Sequence, residues 1–565
     1  MTDTAALNLR WCDQLMDGLA AAGLRRVVLS PGSRSTPLVL ALNRQPRLQR
    51  WRHPDERSAA FFALGLASCD RQPAALIATS GSAPGHWLPA VIEANRAGIP
   101  LILLSADRPP ELQACGSNQT VDQIHLFGSQ VRAYHDAGTP SPQTMAHIRR
   151  LGVQAVQRAL WPDPGPVHLN LPLPEPLTPV AWPQPPAPGP AVPVADNRVR
   201  PDPSQIQRIA QLLESGKGLI VCGPMPEDQP FAEALTCLAE RLNCPILADP
   251  LSGLRFGGHA HGRIISRYDG FLRSQPFQEQ KPDWVLRFGA APVSKALLDY
   301  LARAAPRTLL CAPRGDWPDP LHQTGEMVRS DPGLFCEALG EYHLRAGPAD
   351  WLQGFTQAEQ RVEQVRLAAD TVPMEDRLIE ELIAALPANA ILFSGNSLPI
   401  RQLDLWSGQG PKPLRIHANR GASGIDGNVS TLLGLTAAGG RPVVGLLGDL
   451  AFFHDMNGLL FARGLHAVIV LLNNNGGGIF GMLPQAGLEG FEQQWLMPTH
   501  LDFSHSARLY GLDYARIERQ PQFRPALERA LAHPGVSLLE IMLLRERSLS
   551  RHKGYLQQLQ TLLNQ

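Results

Sequence analysis

Val443-Val444-Gly445-Leu446-Leu447 runs straight into Gly448-Asp449-Leu450, and further along Val468-Ile469-Val470-Leu471-Leu472 runs into Asn473-Asn474-Asn475-Gly476. Each apolar run has the length and branching of a buried strand, and residues Ala451 to His466 between them read as a helix. A strand-helix-strand unit of this length is a right-handed crossover between parallel strands. Asp449 and Asn474 then meet at the carboxyl ends of those strands, where α/β sheets bind ligands. A carboxylate, an amide oxygen and nearby backbone carbonyls are hard oxygen donors. They suit Mg²⁺ or Ca²⁺ with phosphates in the remaining positions, not zinc or copper. Gly448 lets the backbone approach a phosphate closely, and the helix start beyond it favours negative charge. Taken singly, Gly-Asp is a capped turn and the asparagines are a polar loop. Their joint placement at two strand ends favours the metal site.

Around this unit the chain is long and evenly charged. Its 565 residues exceed one ordinary core, so two to four domains are expected. Lys plus Arg (51) equals Asp plus Glu (51), so no basic excess points to nucleic acid or a membrane surface. Recognition of anions must come from local clusters. From Met1 to Gly23, Leu7, Trp11, Leu15 and Leu19 recur every four residues among charges, one face of an amphipathic helix and not a signal peptide. No apolar run approaches the ~18 residues of a membrane span. The eight cysteines form no C-x-x-C pair and read as reduced core thiols of a cytoplasmic protein.

Short β-branched runs alternate with longer helical patterns throughout, which predicts an α/β protein of three doubly wound parallel-sheet domains. Strands are expected at Arg26–Leu29, Ala74–Ala78 and Pro100–Ser105, with a helix around Arg57–Cys69. The second block carries a helix at Ser204–Ser215 and strands at Gly218–Cys222, Pro245–Ala248, Trp284–Phe288 and Thr308–Cys311. The third has strands at Ala390–Phe393, Pro442–Leu447, Ala467–Leu472 and Val536–Met542. A proline-dense stretch, Pro172 to Pro203, behaves as a stiff extended linker, and Ala349 to Ala369 as a helical one. The expected division is an N-terminal domain 1–180, linker 181–203, middle domain 204–345, helical linker 346–374 and C-terminal domain 375–565. The first and third blocks are open to being distant copies of one fold.

The Gly448-Asp449…Asn473-Asn474 pairing resembles the fingerprint of the thiamine-diphosphate-dependent enzymes, with Asp-Leu here where Asp-Gly is usual. The resemblance implies that Asp449, Asn474 and the carbonyl of Gly476 hold Mg²⁺, or Mn²⁺ in its place, bridging to thiamine diphosphate. It adds Gly448, Leu450 and Phe480 to the diphosphate end, and Ser423, Gly424 and Ile425 to the thiamine. Ile425 is there the aliphatic wedge that bends the two rings together, although a lone Ile is more often core. From the first domain it draws Pro31, Gly32, Thr79, Ser80 and Gly81 into the cofactor pocket, the N-terminal and C-terminal domains of the fold being the pyrimidine-binding and diphosphate-binding ones. On spacing alone, Glu56 in His53-Pro54-Asp55-Glu56-Arg57 is a helix-start acid. The family places its catalytic glutamate at this point, where a carboxyl sharing a proton with N1′ lets the aminopyrimidine take the C2 proton. Burial would raise its pKa towards neutrality.

Longer strings narrow the resemblance to the branch that couples 2-oxoglutarate to isochorismate in menaquinone biosynthesis: Ser30–Pro37, Ala106–Leu112 with Gly116–Gln119, Gly395–Ser397 with Arg401, Asn419–Gly427 and Asn473–Phe480. Both substrates are dicarboxylates, and arginine forks grip carboxylates at two points. Ser397, Arg401 and Arg420 are implied for the oxoglutarate-derived end; Ser33, Arg34, Arg108, Asn118 and Gln119 for isochorismate. Lys295 matches a middle-domain cation, although Ala296 stands where some relatives carry an arginine. The resemblance also implies a homodimer as the minimum active unit, or a dimer of dimers, with a site enclosed by two subunits. Rival readings are an acetohydroxyacid synthase or 2-oxoacid decarboxylase, a catalytically dead binding protein of the same fold, and a nucleotide-binding oxidoreductase. The last lacks a G-x-G-x-x-G after any expected strand.

Overall fold

The computed structural model describes residues 3–193, 197–214, 216–226, 229–369 and 372–564. Three six-stranded sheets follow one another along the chain. The first contains β1 (Arg26–Leu29), β2 (Gln49–Arg52), β3 (Ala74–Ala78), β4 (Leu101–Asp107), β5 (Ala133–Asp136) and β6 (Pro166–Pro172). The second contains β7 (Gly218–Cys222), β8 (Ile246–Ala248), β9 (Ile264–Ile265), β10 (Trp284–Phe288), β11 (Arg307–Cys311) and β12 (Thr324–Val328). The third contains β13 (Ile391–Ser394), β14 (Arg415–His417), β15 (Val443–Gly448), β16 (Ala467–Asn473), β17 (Asp513–Ile517) and β18 (Val536–Met542). Neighbouring strands are parallel throughout.

The expected central strands are present, because an apolar run buried on both faces announces itself. Edge strands such as β2, β14 and β17, half open to solvent, carry no such signal. Strand β6 is fully buried but has proline at both ends, which disguised it. The first sheet runs β2-β1-β3-β4-β6-β5 and the third β14-β13-β15-β16-β18-β17, one order counted from each sheet's first strand. The two blocks therefore share a topology. In each, the direction of winding reverses between the first and third strands, and that reversal opens a crevice at the carboxyl ends.

The crossover between β15 and β16 departs from the expected single helix. A helix covers Asp449–His454 and a 3₁₀ turn covers Met456–Ala462. Between them Asp455 turns inward to accept hydrogen bonds from the Ser430 amide (2.7 Å) and hydroxyl (3.0 Å). Gly458 follows, so close to Ser430 that a Cβ there would lie 2.3 Å from its Oγ. A tertiary contact, invisible to local periodicity, breaks the helix.

One core joins the first and third sheets through the helices Glu56–Asp70, Leu88–Ala97 and Asn428–Ala437; another joins the second and third. Helices Glu56–Asp70 and Asn428–Ala437 touch backbone to backbone. A Cβ on Gly65 would sit 2.1 Å from the Thr431 carbonyl, and one on Gly434 2.2 Å from that of Phe62. No helix or strand interrupts the described residues between Pro172 and Pro203, where carbonyls of Pro174, Pro183 and Pro190 accept bonds from Asn8, Arg44 and Arg149. Ser215, the expected end of a helix that stops at Leu213, lies outside the described residues. The cysteines are unpaired; Cys12, Cys222, Cys244, Cys311 and Cys336 are core thiols, but Cys115 and Cys237 are on the surface and Cys69 is half-buried.

Candidate functional site

At the winding reversal of the third sheet, β15 ends at Gly448, in register with Leu472 of β16. Asp449 is buried, its Oδ2 accepting the Gly476 amide (2.7 Å) and its Oδ1 the Leu450 amide (2.9 Å). Burial pushes its carboxyl above the usual range, and no cationic side chain pairs with it among the described residues. Asn474 Oδ1 is buried without a hydrogen-bond donor among the described residues. Gly476 stands at φ +84°, where a Cβ would lie 1.9 Å from the Met497 carbonyl, so only glycine fits; its own carbonyl receives a long 3.5 Å contact from Arg545 Nη1. Beneath them, Asn473 donates to Glu540 (2.6 Å) and accepts the Asn475 amide (2.9 Å), while Tyr514 holds the other oxygen of Glu540 (2.6 Å). An unpaired buried carboxylate beside an orphaned amide oxygen suits a hard divalent cation. Among the described residues no cluster of three or more His, Cys, Asp or Glu is placed for a metal.

Opposite lies the end of β13. Ser397, at φ +71° and ψ −124°, caps the helix Leu398–Trp406 in a conformation that costs a non-glycine residue about 1–3 kcal/mol. Asn396 ties this turn to the Asn419–Gly427 loop, donating to the carbonyls of Asn419 and Gly424 (both 2.7 Å) and accepting from Arg420 Nη1 (2.9 Å). Arg401, exposed on its helix, donates to the Ser397 carbonyl (2.7 Å). Burial lowers the Arg420 pKa; Asp249 and Glu93 oppose that, and the like charge of Arg401 adds to it. Among the described residues neither Arg401 nor Arg420 forms an ion pair, although the carboxylates of Asp249 and Glu93 act on Arg420 from a greater distance. Ser423 (φ +64°) is exposed, and Ile425 is 37% exposed at the loop tip.

The first sheet presents its own reversal. Gly32, after β1, lies where a Cβ would meet Thr79 Cβ at 2.5 Å, and Thr79 follows β3. Pro31 and Ser33 flank it on the surface. Ser80 is fully buried, donating to the Gln119 carbonyl (3.1 Å) and accepting from Arg108 Nη1; Gln119 returns a bond to the Ser80 carbonyl (3.1 Å). The Gly81 amide is held by Gln123 (3.0 Å). Burial and the nearby charge of Arg34 lower the Arg108 pKa. Arg34 is itself buried and engaged, with Glu175 (2.7 Å) and the Leu173 carbonyl (2.8 Å). Asn118 is exposed beside them.

Glu56 begins the helix Glu56–Asp70, half-buried, and among the described residues its carboxylate has no hydrogen-bond or ion-pair partner. Its neighbours are firmly held: Asp55 caps the helix and accepts from Asn457 (3.0 Å), Arg57 donates to the His454 carbonyl (2.9 Å), and Ser58 reaches Asp455 (3.4 Å). Thus the helix carrying Glu56 is bolted to the far end of the helix that starts at Asp449. Among the described residues no hydrogen bond joins Glu56 to Asp449 or Asn474. Leu450 and Phe480, which follow the ends of β15 and β16 along the chain, are half-buried. Lys295 is 80% exposed and bonded to Asp299 (2.9 Å) one turn along its own helix, and among the described residues it has no hydrogen bond or ion pair to the other candidates.

Two positioning groups escaped the sequence reading. Asp455 has been described. Glu93, buried in helix Leu88–Ala97, accepts the amides of Gly421 and Ala422 (both 2.6 Å) and of Ser423 (3.4 Å). A signal for it existed: Glu93 falls on the apolar stripe with Ala90, Ala94 and Ala97, where a surface acid has no place.

Family profiles agree with this arrangement block by block. Residues 10–126 match the thiamine pyrophosphate enzyme N-terminal domain, 193–394 the middle domain and 402–541 the C-terminal domain, thiamine pyrophosphate being another name for thiamine diphosphate. The crystal structure of benzoylformate decarboxylase from Polynucleobacter necessarius superposes with TM-score 0.70 at 19% identity, covering 95% of this chain and 98% of that one, and so shares the fold. The 2-succinyl-5-enolpyruvyl-6-hydroxy-3-cyclohexene-1-carboxylate synthase of Dechloromonas aromatica (strain RCB) is 44% identical over 546 residues, 96% of this chain and 99% of that protein. The synthase of the same name from Roseiflexus sp. (strain RS-1) is 42% identical over 560 residues, covering 94% and 95%. At that identity over nearly the whole length of both proteins, this chain belongs to the 2-succinyl-5-enolpyruvyl-6-hydroxy-3-cyclohexene-1-carboxylate synthases, the MenD branch of the thiamine-diphosphate-dependent enzymes.

Proposed function

We propose that the chain decarboxylates 2-oxoglutarate and adds the succinyl-semialdehyde unit 1,4 to isochorismate, giving 2-succinyl-5-enolpyruvyl-6-hydroxy-3-cyclohexene-1-carboxylate and CO₂ in menaquinone biosynthesis. The observation that carries this reading is the pair Arg401 and Arg420, two neighbouring cations with no direct ion pair among the described residues, close enough that the charge of Arg401 adds to burial in lowering the Arg420 pKa. A substrate with a second carboxylate, as 2-oxoglutarate has, supplies an anion for them.

When bound, thiamine diphosphate would supply a nucleophilic carbon and an electron sink for decarboxylation of a 2-oxo acid. Asp449, the free oxygen of Asn474 and the Gly476 carbonyl would hold Mg²⁺, with Mn²⁺ as a substitute, against the diphosphate. Arg401 and Arg420 orient the distal carboxylate of 2-oxoglutarate, with Ser397 beside them. Arg108 and Arg34, with Ser33, Asn118 and Gln119, receive isochorismate. Glu56 holds a proton at the pyrimidine N1′, and Ile425 supports the thiamine between its rings. Following the family, in which the N-terminal domain of one subunit and the C-terminal domain of another enclose the cofactor, we assign Glu56 to a partner's site, with a homodimer as the minimum active unit and a dimer of dimers compatible. Phe453 (46% exposed), Leu460 (52%) and Leu509 (73%) supply apolar surface near the Asp449–Asp455 elbow for such a contact. Among the described residues no helix is long and apolar enough to cross a membrane, and a cytoplasmic location completes the proposal.

The test supplies the protein with thiamine diphosphate, Mg²⁺, 2-oxoglutarate and isochorismate and identifies the product by mass. A product other than the carboligation adduct, or CO₂ release indifferent to 2-oxoglutarate, would overturn the proposal.

A further inference from the structure

The loop that carries both Arg420 and Ile425 is tethered from another domain. Three consecutive amides, those of Gly421, Ala422 and Ser423, converge on the carboxylate of Glu93, at 2.6, 2.6 and 3.4 Å. Such a run of inward-facing amides is an anion-binding concavity, of the kind that elsewhere holds phosphate. Here the protein fills it with its own acid. Glu93 is 3% exposed, and among the described residues no cationic side chain pairs with it. Packing alone does not set the loop's height. A cavity of about 240 Å³ lies under it, walled by Phe61, Leu88, Ile92 and Ala422, and Ala422 and Ser423 are exposed. Gly421 rests directly on the helix, where a Cβ would stand 2.5 Å from the Glu93 carbonyl. Past the tether the backbone turns through Ser423 at φ +64° to reach Ile425.

We infer that Glu93 is a positioning residue for the thiamine and for the first substrate: by neutralising three amides it fixes the Arg420–Ile425 loop against the N-terminal domain, so that the wedge and the carboxylate-binding arginine stand at set distances from the Asp449 corner. The inference rests on the reading above that this loop faces thiamine. A glutamine at 93 keeps the shape, accepts at one oxygen only and turns its NH₂ against the remaining amides. Losing charge-assisted hydrogen bonds of this kind corresponds to roughly 10- to 100-fold in an equilibrium.

Three measurements on Glu93→Gln test it. Amide hydrogen exchange at 421–423 in the cofactor-free protein should accelerate by roughly tenfold or more. With thiamine diphosphate and Mg²⁺ bound, exchange at thiamine C2 should slow by a similar factor while cofactor affinity, set by Asp449 and Asn474, changes less than about threefold. In an Ile425→Ala background the substitution should add little further loss of C2 exchange, because both act through one wedge. Faster amide exchange with C2 exchange unaltered would make Glu93 a structural bond between domains and overturn the inference while leaving the cofactor site intact. Additive losses with Ile425→Ala would overturn it too. A wild-type protein that binds no thiamine diphosphate would overturn the cofactor reading and this inference with it.

Discussion

Asp455 joins the two helices that carry Glu56 and Asp449, and its protonation should be visible in stability. The side chain is fully buried, accepting from Ser430 twice and from Ser58. Burial raises its carboxyl from 3.8 to about 6, against the opposing pull of the Ser430 bonds. The folded state therefore binds more protons than the unfolded one between those values, and stability falls as pH rises through that window. The difference is about 2.2 units, or about 3 kcal/mol at full expression, withheld above pH 7 and recovered on acidification. At pH 5 about 1.4 kcal/mol of it has returned. Asp455→Asn keeps an acceptor for the Ser430 amide and cannot ionise, so it removes the dependence. The assay is the melting temperature of both proteins from pH 5 to pH 8, read as the difference between them, which cancels every other titrating group. The variant should gain on the wild type by roughly 3–5 °C between pH 5 and pH 8, for a cooperative unit of domain size. Parallel profiles would show that Asp455 is charged in the fold at pH 5, and the account of the elbow would fail.

Asp449→Ala and Asn474→Ala should each weaken binding of thiamine diphosphate with Mg²⁺ by at least about tenfold in calorimetric titration, with the fold retained; unchanged affinity in both would remove the metal assignment. Glu56→Gln should bind the cofactor normally yet slow C2 exchange by roughly 10²-fold or more, since an amide cannot share the N1′ proton; wild-type exchange would return Glu56 to a helix-start acid. Arg401→Ala should slow 2-oxoglutarate-dependent CO₂ release, followed with an artificial electron acceptor, by roughly 10–100-fold. Arg34→Ala and Arg108→Ala should slow carboligation far more than CO₂ release, and equal losses in both steps for all three variants would dissolve the division of arginines between substrates.

How much of this could be read in the sequence depended on the distance over which each residue acts. Asp449 and Asn474 were legible because each sits one or two residues beyond a strand that declares itself by burial on both faces, and because one crossover brings the pair together. Lys295 was legible as a motif, yet its position on an exposed helix turn puts Asp299 within reach one turn away, and the local partner took the charge. Glu56 was singled out by the family resemblance, its place at a helix start alone reading as a capping acid, whereas the bonds that hold that helix run from Asp55, Arg57 and Ser58 to residues about 400 positions later. Asp455 gave no local sign at all: it ends a helix only because Ser430 waits for it. Glu93 is the instructive case. It broke a local rule, an acid on the apolar stripe of a buried helix, and such a residue is affordable only when the fold returns donors to it. Three amides from 328 to 330 residues downstream do so. An unexplained polar residue inside a strong apolar pattern thus marks a partner still to be found, and in this chain that partner is the Asn419–Gly427 loop.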